Sequence, residues 1–149
     1  MPAWTAGSLT IHYETAGPED GPAVLLLAPG GMRSTAERWA QIGFDALSLL
    51  PQLGFRAIAM DQRNAGGAST GPIDDDCGWS QYAQDQIALL DQLGIDRCHL
   101  LGCCIGGAFI LKLFSVAPAR FGASVLMQPI GATAENQTVF RELFDGWSA

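Results

Sequence analysis

The sequence has few charged residues, almost no lysine and little histidine. Charged residues make up 15% of the 149, against 48% hydrophobic. That balance excludes an intrinsically disordered chain. Basic residues number 8, only Lys112 among them a lysine, against 15 acidic, for a net charge of −7. No basic face can be assembled from this set, so a nucleic-acid partner is not expected. No apolar run approaches the ~18 residues of a membrane span. The start, Met1-Pro-Ala-Trp-Thr-Ala-Gly7, lacks the basic and apolar segments of a signal peptide. Four cysteines are too few for a disulfide scaffold. A cytoplasmic, acidic chain with one core is therefore expected.

The pattern that is present alternates strands and helices. Residues 8–15 alternate apolar and polar, with Leu9, Ile11 and Tyr13 on one side, as a half-buried strand does. Val24 to Ala28 is wholly apolar and stops at Pro29-Gly30-Gly31, which suits a strand buried on both faces. Ser34-Thr-Ala-Glu37 has the form of a capping box and opens an expected helix running to Leu50. Further strands are expected at 55–60, 98–101 and 123–127, and helices at 80–93 and 105–116. The predicted class is α/β, a mostly parallel sheet flanked by helices, with ligand chemistry beyond the C-terminal strand ends.

Gly102-Cys103-Cys104-Ile105-Gly106 sits between a strand and a helix. A tight turn there lifts one side chain above the sheet while small residues two before and two after relieve the crowding. The raised residue also faces a helix N-terminus, which lowers a thiol pKa and favours thiolate. Cys104 is thus the candidate nucleophile, with the Ile105 N–H as an oxyanion donor. The competing reading is an inert cysteine among packing glycines.

With its neighbours, this motif resembles the N-terminal part of the α/β-hydrolases. Val24-Leu-Leu-Leu-Ala-Pro29-Gly30-Gly31-Met32 stands where the family has a strand ending in His-Gly. The resemblance makes Gly31 the second oxyanion donor, with Met32 the donor if the register slips by one. Asp61-Gln-Arg63-Asn64-Ala-Gly66 and Ser69 are similar to the family's D-x-R-x-x-G…S loop, and Gly102–Gly106 matches its nucleophile elbow. Met32 and Cys103 are assigned to the substrate side. Cysteine stands where most members carry serine, as in dienelactone hydrolase-like members, and Pro29 replaces the common histidine.

The resemblance implies about strands one to six of the fold. Residues 1–131 are then a partial core, and 132–149, with Val139, Phe140, Leu143 and Phe144 on one face, the start of a lid or cap helix. In the family order, acid and histidine follow the nucleophile. His99 precedes Cys104 by five residues, roughly 16 Å along a strand, and His12 lies on the polar side of an early strand, where it reads as a surface residue. After Cys104 only Glu135, Glu142 and Asp145 are acidic, and no histidine follows. The triad is therefore expected to need a further C-terminal segment or a complementing chain.

The functional expectation is hydrolysis of an ester-like or other acyl small molecule. Two alternatives stand beside it: a non-catalytic binding or assembly module or inert fragment, and a thiol redox protein using Cys103 and Cys104. No cofactor or metal is expected. The Gly-rich runs lack the G-K-[ST] ending of a phosphate loop, and the cysteines lack C-x-x-C spacing. Asp74-Asp75-Asp76 reads as a solvated loop. Asp61 and Arg63, near the expected site, read as an ion pair pinning their loop, with contact to a polar substrate as the alternative.

Overall fold

Strands β1 (Ala3–Ala6), β2 (Leu9–Ala16), β3 (Ala23–Leu27), β4 (Arg56–Met60), β5 (Cys98–Cys103) and β6 (Phe121–Met127) form one sheet. Their order is β1-β2-β4-β3-β5-β6. The last four run parallel, while β2 pairs antiparallel with both β1 and β4. These coordinates come from a computed structural model that describes residues 2–66, 68–73 and 79–130. The expected lid helix, Asp74–Asp76 and Cys77 lie outside the described residues, as does the side chain of Met32.

The central strands explain the apolar runs. On β3, Val24 and Leu26 face one layer of the core, and Leu25 and Leu27 the other. On β4, the small Ala57 and Ala59 meet the layer that holds the fully buried Trp39, while Ile58 and Met60 point to the opposite one. Helices α3 (Trp79–Gln92) and α4 (Ile105–Val116) cover that opposite layer through Leu89, Leu90, Phe109, Ile110 and Leu113. On β4 side-chain size thus divides the two faces: larger apolar side chains under α3 and α4, and alanines against the Trp39 indole. The expected α/β class is the observed one.

The expected long helix over 34–50 is not formed. The chain instead makes a 3-10 turn (Gly31–Arg33), α1 (Arg38–Gln41), α2 (Ala46–Leu49) and a second 3-10 turn (Leu50–Leu53). Two local events break it. Ser34 does not cap, because its hydroxyl donates to the Ala28 carbonyl at 2.6 Å. Gly43, at φ 75, takes the left-handed conformation that ends α1 and that other residues resist. The strand β1 was not expected; it forms a hairpin with β2 across Gly7-Ser8.

Candidate active site

Cys104 sits between β5 and α4 with φ 54 and ψ −112, outside the regions favoured by L-residues. Two anchors hold this strained backbone. The Cys104 N–H donates to the Met127 carbonyl at 2.9 Å, and its carbonyl accepts from Gly107 N and Ile130 N at 3.0 and 3.3 Å. Glycine is required on both sides. A Cβ on Gly106 would fall 2.1 Å from the Leu27 carbonyl oxygen, and one on Gly102 would fall 2.6 Å from Gly106. The start of α4 is therefore pressed onto the end of β3. From Leu101 to Gly107 only Cys104 escapes burial.

The other thiols differ. Cys103 is buried in the layer that holds Trp39, and burial pushes its thiol pKa up, with Cys104 adding to the rise. Cys98 lies in the opposite layer, where burial pushes its thiol up to about 11. Cys98, Cys103 and Cys104 are all free.

The chain leaving β3 runs beside this turn, since Leu27 pairs with Gly102 across the sheet. Residues 28–36 are closed on themselves. Arg33 N donates to Gly30 O at 2.8 Å, Ser34 N to Gly31 O at 3.2 Å, and Ser34 Oγ to Ala28 O at 2.6 Å. Gly31 is exposed, with φ 54. The loop is then tied to the end of β4: Gln62 N donates to Ser34 O at 2.9 Å, and Asp61 Oδ1 accepts from Ala36 N at 2.8 Å. Burial holds the Asp61 carboxyl above the usual carboxylate range, although the Ala36 N–H and nearby His12 pull it down; Glu37 pushes it up.

Asp61 and Arg63 are not paired with one another. Arg63 instead meets Asp85 of α3 through two bonds, Nε to Oδ2 at 2.8 Å and Nη2 to Oδ1 at 2.6 Å. Its Nη1 donates to the Pro72 carbonyl. Beside this pair, Gln86 Nε2 donates to Gln62 Oε1 at 2.9 Å, and both side chains are buried. Sequence periodicity hides Asp85 and Gln86, because the apolar residues at helical spacing over 80–93 are Ala83, Ile87, Leu90 and Leu93. The observed stripe is Ala83, Asp85, Gln86, Leu89 and Leu90.

Neither histidine reaches Cys104. His99 lies at the far half of β5, where its Nδ1 accepts from Ala123 N at 3.0 Å. His12 is half-buried rather than a surface residue, and its Nδ1 is buried without a hydrogen-bond partner among the described residues. Its carbonyl accepts from Asp61 N at 2.9 Å, so it stands at the same sheet edge as the turn. Three strand spacings, about 14 Å, separate β2 from β5. Among the described residues no cluster of His, Cys, Asp or Glu could hold a metal, and no helix is long and apolar enough to cross a membrane.

Comparison with known proteins agrees with this geometry. A family model described as the alpha/beta hydrolase fold matches residues 23–148. A putative carbamate hydrolase RutD of Variovorax paradoxus is 37% identical over 119 residues, covering 80% of this chain and 42% of its own length. A 2-hydroxy-6-oxo-6-phenylhexa-2,4-dienoate hydrolase of Comamonas testosteroni is 32% identical over 126 residues, covering 85% and 42%. The crystal structure of a serine hydrolase from Cycloclasticus zankles superposes with a TM-score of 0.74 at 30% identity, covering 89% of this chain and 46% of that one. This chain thus spans about two-fifths of the length of these curated relatives. By the family match, the relatives and the fold together, the chain belongs to the α/β-hydrolase fold family.

Proposed function

We propose that this chain carries the nucleophile half of a hydrolase acting on an acyl carbon, with Cys104 attacking the substrate carbonyl. The observation that carries this reading is the strained Cys104 backbone, φ 54 and ψ −112, held between two glycines that tolerate no Cβ. Such strain persists where surrounding structure enforces it, and it clusters at working sites. Thiolate Sγ would bond to the carbonyl carbon, and the displaced electron pair would gather on oxygen. The Ile105 N–H, at the first turn of α4 and so without an intrahelical acceptor, would stabilise that oxygen together with the Gly31 N–H. Met32 would line the substrate side, while Cys103, buried in the layer that holds Trp39, would support the turn from beneath. The acid and the histidine would come from outside the described residues. The relatives' names fit carbonyl-bearing substrates, a carbamate and a dienoate ketone among them.

A non-catalytic module remains the second reading, favoured by the distance of His12 and His99 from Cys104. The redox reading is weaker, because burial raises the Cys103 thiol pKa and disfavours the thiolate that exchange requires.

The test is intact-mass analysis after exposure to 4-nitrophenyl acetate. Acylation that maps to Cys104 and disappears in Cys104→Ala supports the hydrolase reading. A protein that releases nitrophenolate no faster than Cys104→Ala refutes it.

A further inference from the structure

We infer that Asp61 is a positioning residue that sets the loop bearing the Gly31 N–H, rather than an ion-pair partner or a substrate ligand. This rests on the proposed acyl chemistry of Cys104 and adds a residue to it.

Three observations carry the inference. First, Asp61 is 5% exposed and spends its carboxylate on a backbone donor of that loop, Ala36 N, at 2.8 Å. Arg63, the cation two residues away, is committed to Asp85 by two bonds. Second, the attachment is doubled by Gln62 N to Ser34 O at 2.9 Å. Ser34 in turn reaches back to Ala28 at 2.6 Å. Gly31 therefore lies in a short span whose two ends, Ala28 and Ser34, are bonded to each other and latched to β4. Third, Asp61 is itself fixed from behind. Its N–H donates to His12 O at 2.9 Å, and its carbonyl accepts from Ser69 Oγ at 3.0 Å. Ser69 Oγ also accepts from His12 N at 2.8 Å. The serine of the D-x-R-x-x-G…S pattern thus braces the aspartate, and the aspartate braces the loop.

A backbone donor stabilises a developing oxyanion only where it is already aimed, and small misplacements cost much of the effect. Loss of the carboxylate frees Ala36 N and lets the 28–36 span drift relative to the turn at Cys104. The Cys104 backbone, held by Met127, Gly107 and Ile130, is not bonded to this network.

Two reactions of the same thiolate separate these roles. Acylation by 4-nitrophenyl acetate forms the Sγ–C bond, places charge on the carbonyl oxygen and then expels nitrophenolate, leaving an acetyl thioester. Alkylation by iodoacetamide forms an Sγ–C bond as iodide leaves, with no oxyanion. In Asp61→Ala we expect acylation of Cys104 to slow by roughly tenfold or more while alkylation stays within about twofold. Asp61→Asn keeps a neutral acceptor and should fall between that variant and the wild type.

Equal slowing of both reactions would mean a merely structural role and overturn the inference, as would an unchanged ratio of the two rates. Should Asp61→Ala fail to fold, Asp61→Asn decides, and a ratio equal to wild type overturns it. If the wild-type protein itself forms no acyl-Cys104, the hydrolase reading fails and takes this inference with it.

Discussion

Arg63 and Asp85 meet in a fork of two hydrogen bonds, 2.8 and 2.6 Å, with side chains 8% and 3% exposed. The contact joins the loop after β4 to the middle of α3, across 22 residues. The hydrogen bonds that Arg63 donates to Asp85 raise its pKa further, so the guanidinium stays charged at any working pH. Breaking such a buried pair strands the remaining charge, which typically costs about 3–5 kcal/mol. Asp85→Ala and Arg63→Ala should each lower the urea-unfolding free energy by that order. Replacing both with leucine and methionine should recover most of the loss. Single variants that lose less than about 1 kcal/mol would show that the charge is solvated after all.

The glycines around the turn should differ sharply in tolerance. Gly106→Ala brings a methyl group to 2.1 Å from the Leu27 carbonyl oxygen, a backbone atom with nowhere to go. Either α4 moves or β3 does, and we expect unfolding or a loss of several kcal/mol. Gly31→Ala meets nothing within 4 Å and suffers only from φ 54, at about 1–2 kcal/mol. Thermal melts of the two variants should differ accordingly, and similar melting temperatures would contradict the packing account.

Thiol reactivity should follow burial. Cys98, pushed up to about 11, is almost wholly protonated at pH 8, and Cys103 is both buried and raised. Cys104 is half-exposed at the turn. Brief treatment with iodoacetamide at pH 8, followed by peptide mapping, should label Cys104 well ahead of Cys98 and Cys103. Preferential labelling of Cys103 would mean that its apolar surroundings open readily, and the redox reading would gain.

What could be read in advance was local. The Val24–Leu27 run and the Gly-x-Cys-x-Gly spacing carry their signals within a few residues, and β3 and the strained turn appear where those signals point. The expected helix over 34–50 fails partly for a non-local reason. Ser34 and Glu37 have the capping spacing, but Ser34 bonds Ala28 and the nearby Ala36 N–H is taken by Asp61, 25 residues away. The polar burial on α3 is equally non-local, since Asp85 and Gln86 are tolerable only because Arg63 and Gln62 arrive from the β4 loop. His12 reads as wet from alternation alone, yet Asp61 and Ser69 close over its backbone. The short β1 is exposed along most of its length, and of its four residues only Trp4 is half-buried against the core, which is too little for an alternating signal.

Asp61 makes a stability prediction whose sign differs from that of a salt-bridged carboxylate. Burial is the largest influence on it and raises its pKa above 3.8, against the lowering by Ala36 N–H and His12. Between 3.8 and that raised value the folded chain holds the proton more tightly than the unfolded one. Unfolding free energy therefore falls as pH rises through this window, and below 3.8 the penalty vanishes because both states are protonated. Asp61→Asn has no proton to exchange there and keeps an acceptor for Ala36. The stability of Asp61→Asn relative to wild type should thus increase from pH 3.5 upward and level off above the raised pKa. Urea titrations of both proteins across pH 3.5–7 check this, and a constant difference would mean that the site is solvated. A carboxylate that destabilises the folded state at neutral pH, while its charge strengthens a bond to the loop bearing Gly31, is the combination expected where stability yields to positioning.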